Sequence, residues 1–120
     1  MNSKTKNITG WVLAGLVAFV FVGSGILKLM GGTPEMVKGL GGINNVTLLG
    51  GLELIIAALF LFPRTGVVGS LLAIAYMGGA MAVHLTTGQS LIMLVVIQIL
   101  IWITSVVRFP ELGQQLFNRA

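Results

Sequence analysis

The 120-residue chain contains no cysteine, which excludes a structural disulfide, a dithiol relay and thiolate ligation of a metal within it. Any redox role must therefore draw on a bound cofactor. Charge is scarce as well: 8% of residues are Asp, Glu, Lys or Arg, against roughly 25% in soluble domains. With one histidine and three acidic residues, a tight metal site built from protein groups alone is not expected. Beyond a high glycine content, no internal repeat or low-complexity tract is present.

What fills the chain instead is apolar. Hydrophobic residues make up 56% of it, and mean hydropathy is strongly positive. Four apolar runs, at about 10–30, 46–62, 66–84 and 91–107, are each long enough to cross a ~30 Å hydrocarbon layer. The predicted fold class is all-α: an integral membrane four-helix antiparallel bundle, with residues 1–120 forming a single transmembrane domain and the lipid bilayer as its first partner. The net charge of +4 is carried by single basic residues beside the apolar runs, a pattern of orientation signals and not of nucleic-acid binding. Lys4 and Lys6 precede the first run as in a signal peptide. That run is longer than an h-region and no A-x-A site follows, so it reads as a retained span.

The first span, Gly10 to Met30, has Trp11 at one membrane interface and Lys28 near its other end. Thr33 can cap a short interfacial helix with Pro34 at its first position and Glu35 complementing its dipole. Gly39, Gly41 and Gly42 keep this helix brief, and it is expected to lie over the mouth of the bundle. The second span, Val46 to Phe62, ends at Pro63-Arg64-Thr65, a connection so short that the third must return antiparallel. In the third, Gly66 to His84, Gly69 and Ala73, Ala75 and Gly79, and Gly78 and Ala82 have the small-xxx-small spacing of close helix packing, which places it at the packed centre. Gly88 is a helix stop and Ser90 a cap for the fourth span, Leu91 to Val107. Pro110-Glu111 restarts a short helix along the membrane surface. Lys4, Lys6, Arg64, Arg108 and Arg119 fall on one side, against Lys38 and Lys28 on the other. The positive-inside rule then puts both termini in the cytoplasm.

One carboxylate, Glu53, stands inside the second apolar run. An ionisable group at bilayer depth costs roughly 2.5 to 3.5 kcal/mol on insertion scales and usually faces a protected interior. Side chains on a helix lean toward its own N-terminus. In antiparallel spans Lys28 and His84 therefore lean into the membrane while Glu53 and Gln98 lean outward, so all four converge on one level. Gly50, Glu53 and Ala57 share a small-residue face; Gln98, Trp102 and Ser105 form a stripe on the fourth span; Tyr76 and Ala80 lie below His84, and Ser24 one turn before Lys28. The candidate ligand-binding residues are Lys28, Glu53, Tyr76, His84, Gln98 and Trp102. Each has a plainer reading: Lys28 snorkelling to the headgroups, Glu53 in a purely structural ion pair, His84 as an interfacial histidine, Gln98 as an interhelical hydrogen-bonding group and Trp102 as packing.

The patterns GSGILKLMGG, LGGLELIIAALFLFPR and LLAIAYMGGAMAVHLTTGQ, in that order and at that spacing, resemble the DoxX family, and within it the small DoxX-like branch. The resemblance implies a four-helix membrane bundle and carries the branch's polar positions onto Lys28, Glu53 and His84. Through a family member similar to a small subunit of thiosulfate:quinone oxidoreductase, it also implies quinone chemistry in a membrane redox complex. No flavin, haem or nicotinamide motif accompanies it. The leading reading is a pocket for a quinone-like or other small amphipathic ligand, not covalently bound, in a chain that is at most an accessory or quinone-binding subunit of an oxidoreductase. A homo-oligomer or a redox partner would complete it. The alternatives are a small proton-coupled transporter and a non-catalytic membrane assembly subunit.

Overall fold

The computed structural model describes residues 2–117, and among these the secondary structure is entirely helical. Six α-helices follow in order: α1 (Ser3–Leu29), α2 (Pro34–Leu40), α3 (Ile43–Leu61), α4 (Gly66–Thr86), α5 (Ile92–Arg108) and α6 (Pro110–Phe117), with a 3-10 turn at Pro63–Thr65 between α3 and α4. The four longer helices pack as a ring in which α1 touches α3 and α5, and α4 touches the same two. The molecule is elongated, 47 × 26 × 19 Å.

Helix α1 begins at Ser3, well before the expected Gly10, because the Asn2 side chain accepts a hydrogen bond from the Thr5 N–H at 2.8 Å and caps it. At its far end the Gly32 N–H reaches the Leu27 carbonyl and the Gly31 N–H the Lys28 carbonyl. These are the two bonds of a Schellman closure, with Gly31 at φ +112°. Helix α4 ends in the same way: Gln89 bonds back to His84 and Gly88 to Leu85, with Gly88 at φ +75°. Lys28 and His84 thus each occupy the last turn of a helix, at one end of the bundle. Thr33 caps α2 as expected, its Oγ1 accepting from the Met36 N–H at 3.2 Å. Helix α3 starts at Ile43, earlier than Val46, after Gly42. Ser90 accepts from the Ile92 N–H at 3.3 Å, ahead of α5.

The core joins Ala14, Val17 and Phe21 of α1 to Ile56, Ala57 and Phe60 of α3, Ala73 and Met77 of α4, and Ile101 of α5. Around it, large apolar side chains face outward: Phe19 is 77% exposed and Ile92 76%. Apolar surface on this scale suits acyl chains and not water. Helices α1, α3 and α4 are long and apolar enough to cross a membrane, while the 17-residue α5 meets that measure only together with α6, from which it is bent by 110°. The bend fits a tail running along the surface.

Glycine sets the closest approaches. A Cβ on Gly25 would lie 2.9 Å from the Gly50 carbonyl oxygen, and one on Gly50 would lie 2.8 Å from that of Gly25, so α1 and α3 cross backbone to backbone. At Gly69 of α4 an added Cβ would fall 2.3 Å from the Phe60 nitrogen of α3. The third span is therefore packed at its centre only in its first half. Gly78 and Gly79, farther along, have nothing within 4 Å of a Cβ position, and Gly79 there borders a cavity instead of a helix.

Candidate functional site

The Gly25–Gly50 crossing places the charged residues that come after it on each helix. Lys28 and Glu53 each lie three residues beyond the crossing glycine, on helices running in opposite directions, so they start on opposite sides of it. Because each side chain leans toward its own N-terminus, the two meet at the crossing. Lys28 Nζ lies 2.8 Å from Glu53 Oε2 and donates a second hydrogen bond, 2.7 Å, to Ser24 Oγ. Tyr76 of α4 donates its phenolic O–H to the same Glu53 oxygen, and its ring packs at a tilt against Phe21, 5.8 Å between centroids. Glu53 is only 2% exposed, so its charge is answered by an ammonium and a phenol and not by water. Its other oxygen, Oε1, is buried without a hydrogen-bond partner among the described residues.

These groups stand on the wall of a cavity of about 600 Å³ between α1, α3, α4 and α5, within the range of small-molecule sites. Thr33, the N-cap of α2, and Glu35, Met36, Gly39 and Leu40 of α2 itself lie across one end of it, as the expected position over the bundle mouth requires. Most of the remaining wall is apolar, including Phe21, Met77, Leu94 and Ile97. His84 lines the same cavity but bonds neither Lys28 nor Glu53. Its Nδ1 lies 3.0 Å from the Ala80 carbonyl, one turn back. A carbonyl can only accept, so Nδ1 carries the proton and Nε2 of the neutral ring is an acceptor.

Two of the six candidate residues are not on this wall. Gln98 turns toward α4 and donates through Nε2 to the Ile74 carbonyl at 3.1 Å; Ile97 and Leu94 take the cavity side of α5, and one residue is about 100° of helix rotation. Trp102 lies a further turn from the mouth, beyond the reach of the cavity, half-buried in the bundle. The seam predicted along the fourth span is thus corrected: Gln98 ties α5 to α4, and Ser105, buried, bonds back to the Ile101 carbonyl at 2.7 Å. Glu35, read in the sequence as a helix-dipole residue, lines the cavity, and so does Gln89.

At the other end the structure reveals a residue that the sequence marked only as an orientation charge. The Arg108 guanidinium donates to the last carbonyls of α3, Phe60 at 2.6 Å and Leu61 at 3.2 Å. It also lies over the rings of Trp11, Phe60 and Phe109 at 5.3, 5.0 and 4.8 Å. It ties three helices together and sits with Lys4, Lys6 and Arg64 at the end away from the cavity, whereas Arg119 lies outside the described residues.

No curated protein and no solved structure matches the chain. The model of the DoxX-like family matches residues 12–107, a stretch that holds the glycine crossing, the buried ion pair and the cavity, and the chain therefore belongs to that family of membrane proteins.

Proposed function

We propose that this DoxX-like protein is a single four-span domain of a bacterial inner membrane, with both termini cytoplasmic, whose cavity binds a quinone-like or similarly small amphipathic molecule. The observation that carries the reading is a buried ion pair on the wall of a largely apolar cavity, a combination of apolar bulk and few polar groups that typifies ligand sites. Lys28 has three N–H donors, of which Ser24 and Glu53 take two; the third is available to a carbonyl or anionic oxygen. Glu53 holds the Lys28 head in place, and Tyr76 and Phe21 offer aromatic surface to a ring. His84, with Nδ1–H engaged, offers Nε2 as an acceptor for a hydroxyl. A quinone-like headgroup fits this set of groups. The family resemblance extends the reading to an accessory subunit of a membrane redox complex.

Thermal unfolding of the purified protein with short-chain ubiquinone and menaquinone analogues tests this. At a hundredfold excess over Kd a ligand stabilises by about 2.7 kcal/mol, a readily measured rise in Tm. The rise should vanish in Glu53→Gln and shrink in Tyr76→Phe, each measured against its own ligand-free Tm. No rise with either analogue, or an equal rise in Glu53→Gln, would overturn the assignment.

A further inference from the structure

The end of the bundle away from the cavity holds a second, smaller depression of about 170 Å³, bordered by Lys6, Asn7, Trp11, Pro63, Arg108 and Phe109 among others. Two of its lining residues are cations and none is acidic. Neither cation is paired with a carboxylate among the described residues, where the Lys28–Glu53 bridge is the ion pair formed. Lys6 is half-buried although Lys4, two residues earlier, is exposed. The Arg108 head is fixed by two carbonyls and three rings, which engage two of its five N–H donors and leave the rest for an anion. A positive charge held in place, partly desolvated and unneutralised is a stronger anion site than a mobile surface lysine.

We propose that this depression binds a phosphate group, presented by the headgroup of an anionic phospholipid. The space equals several water molecules at about 30 Å³ each, room for a phosphate between the two cations. A guanidinium matches phosphate oxygens in geometry as well as charge. Trp11, 52% exposed, belongs at the headgroup level of a bilayer, so the depression opens where lipid phosphates are concentrated, and basic pockets between membrane helices bind such headgroups. The competing account is that Lys6 adds only diffuse surface charge and Arg108 only clamps the end of α3.

The two accounts part in an experiment on the full chain carrying Trp102→Phe, which leaves Trp11 as the sole tryptophan. The protein is reconstituted in phosphatidylcholine vesicles containing brominated phosphatidylglycerol or, separately, brominated phosphatidylcholine, and quenching of Trp11 is measured. Phosphatidylglycerol should quench at lower mole fraction. A cation near an anionic lipid is worth about a fivefold change in affinity, so Lys6→Gln should weaken the preference by that factor or more, while Lys4→Gln, which removes an exposed charge outside the depression, weakens it less. A parallel arm adds inorganic phosphate to phosphatidylcholine vesicles, with chloride as control. A phosphate-specific shift of Trp11 emission there, lost in Lys6→Gln, keeps the phosphate site but assigns its source to solution. Equal quenching by the two lipids with no response to phosphate overturns the proposal, and so does an equal loss in Lys4→Gln and Lys6→Gln. Because the discriminating variant is Lys6→Gln, the outcome does not depend on whether Arg108 variants fold.

Discussion

Taking the charge from position 53 leaves the Lys28 ammonium with neutral acceptors only, Ser24 Oγ among them. In the native protein the ammonium has an anionic oxygen at 2.8 Å, in a place where the Glu53 side chain is 3% exposed and that of Lys28 11%. Removing one member of a buried pair typically costs about 3–5 kcal/mol, because the survivor remains buried without its counter-charge. Here the two survivors differ. Lys28 lies in the last turn of α1 and can move its head toward the mouth, so Glu53→Gln is expected to cost about 2–3 kcal/mol, at or below the low end of that range. Glu53 lies deeper and has no such exit, so Lys28→Met is expected to cost about 3–5 kcal/mol. In the double variant neither charge remains, and the amide oxygen introduced by Glu53→Gln still accepts from Tyr76. It should be more stable than either single variant, with a coupling energy of about 2 kcal/mol or more. Reversible unfolding by dodecyl sulfate in mixed micelles, followed by circular dichroism, gives all four corners of the cycle. A coupling below about 0.5 kcal/mol, the level at which independent sites simply add, would refute the reasoning and mean that the two groups do not depend on each other in the membrane.

The packing sets two further outcomes. Gly50→Ala puts a Cβ 2.8 Å from a backbone oxygen and 2.9 Å from Lys28 Cβ, neither of which can swing aside; it should cost about 1–3 kcal/mol as an overpacked contact, while Gly23→Ala, with open space around it, should be neutral or stabilising by up to about 1 kcal/mol. Equal unfolding midpoints for these two variants would dismiss the close crossing. Arg108→Lys keeps the charge but loses the fork that spans two carbonyls and the flat face that stacks on three rings, and should lower stability by about 1–2 kcal/mol; an unchanged midpoint in the same assay would show that the arginine does not clamp the helices.

The sequence disclosed the ion pair because a lone acid in an apolar run is conspicuous and helix direction fixes which way each long side chain leans. The ends of the first and third spans were legible for a related reason: Gly31 and Gly88 take backbone angles that other residues avoid, so they mark where Lys28 and His84 must stop. Rotation about a helix axis was the part that could not be read. In a soluble helix the polar face turns to water and supplies that phase, but the polar residues of α5 turn to backbone carbonyls instead, Gln98 to Ile74 and Ser105 to Ile101, so polarity did not mark the cavity side, which is why Gln98 and Trp102 were assigned to it and Ile97 and Leu94 were not. Small-residue spacing has the same ambiguity. Gly69 meets a backbone and Gly79 meets open space, although both stand in equally good motifs. Arg108 was hidden because its partners, Trp11 and Phe60, are distant in sequence and have no local signature.

The two ends of the bundle are packed unevenly. Near Arg108 the helices are pinned: an added Cβ on Gly66 would strike Phe109, one on Gly10 would press on the Arg108 side chain, and Gly69 already abuts the α3 backbone. From that closed end α4 diverges, and the cavity occupies the space left beyond Tyr76. Lys28 and Glu53 belong to the α1–α3 pair, whose glycine crossing holds them in register, so the charged wall is the closely packed one. The opposite wall consists of the second half of α4 and the short α2, where Gly79 and Gly39 lack close backbone neighbours. On the reading proposed above, a ligand's polar end would meet the closely packed α1–α3 wall and its apolar body the more openly packed wall of α2 and α4.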